Sequence, residues 1–132
     1  SHALDRLENS LSIRRKNANL LDQGLSYLNK KGDVQIPERL SGYKETYALY
    51  MALFESRDNL KKYLEHNDIE VKIHYPIPIH KQKAAQSGCR FNQNELTNSE
   101  IQAEKLLTLP VHQFITTKNV EYMLDKILLF YG

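Results

Sequence analysis

Apolar residues keep a three-to-four spacing from the start of the chain, with one two-turn gap between Leu11 and Ala18: Leu4, Leu7, Leu11, Ala18, Leu21, Leu25 and Leu28. That spacing predicts one long helix over Leu4 to Leu28 with a single apolar stripe. Gly24 falls inside it, at a cost of about 1 kcal/mol relative to alanine. Lys30 and Lys31 suit the negative end of the helix dipole, and Gly32 suits a C-cap. Val34-Gln35-Ile36-Pro37 reads as a short extended piece and Glu38 to Lys44 as a polar loop. The run TYALYMALF, Thr46 to Phe54, is apolar without interruption. Its length and its tyrosines favour a central strand covered on both faces over a buried helix. Ser56 is the N-cap candidate for a helix over Arg57 to His66, with Leu60 and Leu64 inward and Lys61 and Lys62 outward.

The next stretch changes period. In Ile69 to His80, IEVKIHYPIPIH, every second residue is apolar, and Glu70, Lys72 and His74 take the alternate positions. Period two predicts a strand with one face against a core. Pro76 and Pro78 lack the backbone N–H and fix φ, so the ladder must stop near Tyr75 or continue only along an edge. Each residue before a proline is driven to extended geometry. The strand therefore delivers a stiff arm ending at His80. Parallel and antiparallel pairing across the helix at Arg57 remain equally open. Lys81 to Glu95 is a polar loop carrying Gly88, Cys89 and Arg90. Thr97 with Glu100 three residues on has the form of a capping box, opening a helix that buries Ile101, Ala103 and Leu106. Thr108 to Val111 is a short extended segment. Thr116 or Thr117 caps a last helix, Lys118 to Phe130, with Val120, Leu124, Ile127 and Leu128 on one stripe. The sum is an α+β two-layer sandwich: a small, mainly antiparallel three-stranded sheet covered by helices, with a long N-terminal helix.

Composition narrows the classes. A chain of 132 residues supports one domain with a modest core. Eighteen basic against sixteen acidic residues, well mixed, leave no basic stripe for nucleic acid. No apolar run approaches the roughly 18 residues of a membrane span. One cysteine, Cys89, excludes an intramolecular disulfide and suits a reducing, cytoplasmic compartment. Ser1-His2-Ala3 has the look of an expression scar, which leaves residues 4–132 as the domain. Arg14, Arg15 and Lys16 cannot all face a core; they form a solvated face or touch another domain or subunit.

Candidate chemistry is sparse. His74 and His80 are separated by two prolines, and His112 lies in another loop. No helical His pair and no Cys pair offers metal-ligand spacing. Cys89 lacks a recognisable base partner. There is no glycine-rich phosphate cradle and no nucleophile elbow. From the residues alone, His80 is either a solvated loop histidine or a group placed by the arm for binding.

Several spaced motifs, taken in order, resemble the C-terminal part of the DegT family of sugar aminotransferases: RRKNANLL, QIPE, the run from Thr46 through Arg57-Asp58 to His80, Gln82, and LLTLPVHQFIT with KILLFYG. The resemblance covers Leu4 to Gly132. It implies a fold-type-I pyridoxal-phosphate enzyme that transfers an amino group from a donor such as glutamate to a keto-sugar on a nucleotide, with a homodimeric parent. It places the cofactor lysine and most phosphate contacts in a larger N-terminal domain, so this chain would be inactive alone and bind no pyridoxal phosphate. Residues 4–29 would link the two domains, leaving Leu4, Leu7 and Leu11 without cover in the chain by itself. His80, Tyr75 and, less directly, Arg90 would face the substrate. A stand-alone, non-catalytic sugar-nucleotide binding or dimerisation module is the alternative.

Overall fold

A computed structural model of the chain describes residues 2–86 and 96–132. Helix α1 runs His2–Lys31, followed by β1 (Val34–Gln35), β2 (Tyr50–Phe54) and α2 (Arg57–His66). A 3-10 turn (Ile79–Lys81) and the single turn α3 (Lys83–Gln86) come next, then α4 (Thr97–Lys105), β3 (Leu106–Leu109) and α5 (Thr117–Tyr131). The sheet is antiparallel, in the order β1-β2-β3. Val34 pairs with Phe54 at one edge, and Tyr50 pairs with Leu109 at the other. Fold class and long first helix are as the periodicity predicts.

The core is the stripe of α1 against the stripe of α5 over the sheet. Leu21, Leu25 and Leu28 meet Val120, Met123 and Ile127, with Tyr50, Ala52 and Phe54 of β2 beneath. Gly24 has a packing reason: a Cβ there would stand 2.4 Å from Leu124 Cδ1, so the missing side chain is what lets α1 and α5 approach. Gly32 sits at φ 93°, and the amides of Gly32 and Asp33 both return to Leu28 O, which closes α1 with a Schellman-type cap. The first turns of α1 behave differently. Leu4 and Leu7 are 67% and 51% exposed, and burial of the helix begins in earnest at Asn17.

Several sequence expectations give way to tertiary structure. The third strand is Leu106–Leu109, not the Ile69 segment, which touches β3 through one bridge between Lys72 and Thr108. That bridge is antiparallel, so the segment runs parallel to β2 with β3 between them. Strand β2 starts at Tyr50 rather than Thr46, because Tyr47 turns the chain at φ 46°. Its outer residues Met51 and Leu53 are only half-buried. Ser56 stands at φ 51° and makes no side-chain cap. Thr97 is the first residue of α4 rather than its cap, and Leu96 precedes it without a side-chain cap bond. Ala103 is buried, but Ile101 is exposed. At Thr116 the prediction holds: its hydroxyl accepts from Asn119 N and the Asn119 side chain accepts from Thr116 N, a full capping box.

Arg14 and Arg15 are half-buried and bonded within the chain, while Lys16 is exposed. Arg14 donates to Tyr47 O at 3.1 Å and to Gln113 Oε1 at 3.0 Å, and Arg15 donates to Glu45 O at 2.9 Å. These bonds strap residues 36–49 to α1. Arg39 completes the strap: it grips Asp22 through two 3.0 Å bonds and lies over the rings of Tyr47 and Tyr50. The Tyr50 hydroxyl donates to Asp22 Oδ1 at 2.7 Å. Burial, and then that carboxylate, push the Tyr50 phenol above its usual range.

Two stability experiments follow from this packing. Thr116→Ala should lower unfolding free energy by about 1 kcal/mol, whereas Thr97→Ala and Ser56→Ala should lie within about 0.5 kcal/mol of the parent; urea midpoints distinguish the three. Tyr50→Phe should cost about 1.5–3 kcal/mol at pH 7, since it removes a bond to a charged acceptor. Above about pH 10 the unfolded tyrosine ionises while the folded one holds its proton, so parent stability falls with rising pH. The gap between parent and Tyr50→Phe should therefore narrow between pH 10 and 11.5. Parallel pH profiles would refute the assigned burial.

Candidate functional site

The backbone of the arm is anchored to β3 at one residue pair. Lys72 and Thr108 exchange both backbone hydrogen bonds, at 3.2 and 2.8 Å. Continuing that register would set Glu70 opposite Pro110, which has no N–H to give, so the ladder cannot extend that way. Pro76 and Pro78 stop it at the other end. His74 Nδ1 lies 2.9 Å from Thr108 Oγ1, a second tie between arm and sheet. Its ring meets the Tyr75 ring edge-on at 5.7 Å, across a cis peptide bond. Beyond this point the chain stands clear of the core: Tyr75 is 75% and Ile79 79% exposed.

The arm then curls back. Lys81 N bonds Pro78 O at 2.9 Å and Gln82 N bonds Ile79 O at 3.1 Å, which closes the 3-10 turn. The turn aims His80 inward at α4. Its Nε2 lies 2.9 Å from Glu100 Oε1, and its side chain keeps only 10% of its surface exposed. The other oxygen of Glu100 takes Lys81 Nζ at 2.8 Å. The Lys81 ammonium, and after it His80, hold the Glu100 carboxyl below the usual carboxylate range. Between arm and α4 lies a cavity of about 460 Å³ lined by Tyr75, Ile77, Pro78, His80, Ser99 and Ala103, among others. That volume falls within the range of small-molecule sites.

Of the three residues read as substrate-facing, Tyr75 and His80 border this one cavity. Arg90, with Gly88 and Cys89, lies outside the described residues. Sequence reasoning missed Glu100, which pairs with His80 without itself lining the cavity. Its position three after Thr97 reads as a cap, and nothing local reveals a contact with a histidine twenty residues earlier. A second cleft, of about 560 Å³, opens where the ladder fails at Pro110, bordered by His74, Thr108, His112, Asn119 and Tyr122. There His112 Nδ1 accepts from Phe114 N at 3.3 Å.

An aldimine lysine needs a depressed pKa, which burial or cationic neighbours supply. Every lysine here is exposed or half-exposed. Lys61, Lys72, Lys81 and Lys105 are paired with glutamates. The Asp33 hydrogen bond raises the Lys31 amine, the opposite of what is needed. Among the described residues no group of three or more His, Cys, Asp or Glu could hold a metal ion, and no helix is long and apolar enough to cross a membrane.

Comparison with known proteins agrees with this architecture. A pleiotropic regulatory protein of Geobacillus stearothermophilus is 27% identical over 101 residues, 76% of this chain and 27% of the relative. A UDP-N-acetyl-3-dehydro-alpha-D-glucosamine 3-aminotransferase of Acidithiobacillus ferrooxidans is 34% identical over 83 residues, 60% of this chain and 21% of the relative. The crystal structure of a DegT DnrJ EryC1 StrS aminotransferase from Brucella abortus superposes with a TM-score of 0.83 at 26% identity, covering 98% of this chain and 33% of that one. S. venezuelae DesV, solved in complex with a ketimine intermediate, shares the fold at a TM-score of 0.86 and 22% identity, over 96% of this chain and 33% of its own. The chain thus spans about a third of these solved structures and about a quarter of the curated relatives. The pattern of the DegT/DnrJ/EryC1/StrS aminotransferase family matches residues 1–128, and the chain belongs to that family.

Proposed function

We propose that this chain is the C-terminal, substrate-side domain of a nucleotide-sugar aminotransferase and performs no transamination by itself. The cofactor lysine and the pyridoxal phosphate belong to an N-terminal domain, with which residues 4–29 form the link. The two-domain enzyme, a cytoplasmic homodimer, moves an amino group from an amino acid, glutamate by our reading, to a keto-sugar carried on a nucleotide. This domain contributes the arm: His80 and Tyr75 meet the sugar or the diphosphate, and Arg90 meets a phosphate. Pyridoxal phosphate, when bound in the other domain, supplies the electron sink for amino transfer.

The observation that carries this reading is the arm itself. A stiff segment leaves the sheet at Lys72, exposes Tyr75 and Ile79, and brings its histidine over a cavity, while the same chain offers no buried lysine. The bare apolar turns at Leu4 and Leu7 suit a helix whose first half is covered by another domain. Relatives named as UDP- and dTDP-sugar aminotransferases support the substrate class.

Two experiments test it. Pyridoxal phosphate added to this chain and trapped with borohydride should give scattered, substoichiometric modification of surface lysines; one stoichiometric adduct at a single lysine would overturn the non-catalytic reading. In the two-domain enzyme, His80→Ala should raise the KM for the nucleotide sugar about tenfold or more, the loss of a strong polar contact, and leave the amino-donor half-reaction unchanged. Unaltered sugar kinetics would remove His80 from the site.

A further inference from the structure

The contact between α4 and the arm goes further than that reading, on which it rests. Glu100 lies in the first turn of α4, which has no side-chain cap. Its carboxylate instead reaches out of the helix to the 3-10 turn, one oxygen on His80 and the other on Lys81. An ionised carboxylate only accepts hydrogen bonds. The depression of the Glu100 carboxyl keeps it in that form. The contact therefore requires the His80 proton on Nε2, and it sets both the tautomer and the direction of the ring. Lys81 occupies the second oxygen, so the carboxylate cannot rotate away without losing an ion pair. With its side chain 10% exposed, His80 is braced rather than free to sample rotamers.

We infer that Glu100 is the positioning residue for His80. It fixes the imidazole with the proton on Nε2, and so presents one defined ring orientation to the nucleotide-linked sugar. Glu100 acts through the histidine and makes no substrate contact of its own. The arrangement resembles the carboxylate–histidine pairs that orient rings at other sites: the second group sets which nitrogen can accept and which must donate. Lys81 supports the carboxylate from its far side, which makes its effect weaker and indirect.

Ring-nitrogen NMR on the histidine-labelled chain and kinetics of the two-domain enzyme test this together. In the parent, His80 should show a single Nε2–H tautomer; Glu100→Ala should give a mixture, and Glu100→Gln, which keeps an acceptor oxygen, should retain the parent form. In the enzyme, Glu100→Ala should raise the nucleotide-sugar KM about tenfold, leave the amino-donor half-reaction unchanged, and be largely rescued by Glu100→Gln. The double variant Glu100→Ala/His80→Ala should be no weaker than His80→Ala, because one residue acts through the other. Additive losses would overturn the inference, as would a Glu100→Ala enzyme with normal sugar kinetics beside a defective His80→Ala enzyme; in both cases the substrate-side reading stands. Silence of both single variants would overturn the inference and that reading alike. Should Glu100→Ala fail to fold by its thermal melt, Glu100→Gln and Lys81→Ala carry the test: both should keep the Nε2–H tautomer, and loss of it in Glu100→Gln with normal sugar kinetics would refute the role.

Discussion

The structure depends on the ladder between β2 and β3. Four residue pairs, from Tyr50 with Leu109 to Leu53 with Leu106, hold the centre of the sheet. Everything that reaches the candidate site is referred to it. The arm is fixed by Lys72 pairing with Thr108, the neighbour of Leu109 on β3. Helix α4 runs directly into β3 at Leu106, so Glu100 is placed by the same strand. Arg57, buried at the start of α2, donates to Leu106 O at 2.9 Å and ties the crossover to that junction. His80 and Glu100 are thus carried by two segments that share one strand as their reference. That shared reference supports the 2.9 Å contact between them.

Polar side chains settle what apolar packing leaves free. Residues 36–49 contain no regular element and would otherwise be a long loop of low stability. Asp22, Arg39 and Tyr50 fix this segment against α1, with Arg14 and Arg15 taking its carbonyls. Each member would be costly to bury alone. Together the arginine is neutralised, the carboxylate is satisfied and the tyrosine hydroxyl has its acceptor. The strap leads directly into Tyr50, so it also fixes where β2 begins. That is the physical reason the strand is shorter than its apolar run: Thr46 to Leu49 serves the strap, with Tyr47 turned at positive φ to bring its carbonyl to Arg14.

Periodicity made much of this legible. The long helix, the helix at Arg57, the capped last helix and the α+β class follow from apolar spacing and from caps that act locally. What stayed hidden were choices made between distant residues. Thr97 and Glu100 satisfy the capping pattern in sequence, but His80 and Lys81 offer Glu100 a charged partnership that the helix terminus cannot match. The Ile69 segment alternates as a strand should, yet Pro110 at the end of β3 denies it a partner, and a proline opposite cannot be foreseen from the alternating residues. Gly24 reads as a weakness in a helix until Leu124 is seen against it. Of the site, the arm and its histidine were legible through the two prolines; the carboxylate behind the histidine was not.

The division of labour proposed between this domain and an N-terminal one has a physical rationale in these constraints. An aldimine lysine must be desolvated, and a domain of this size buries little beyond the stripes of its helices and one strand. Its lysines all end at the surface, several of them held by glutamates. A binding group faces a different requirement. To meet a ligand beyond its own domain a side chain has to leave the core, and having left the core it needs stiffness from something other than packing. Two prolines stiffen the backbone of the arm, and a carboxylate from α4 stiffens the side chain at its end. On the proposed reading, a domain with a small core supplies recognition at its rim and leaves the buried chemistry to a larger neighbour.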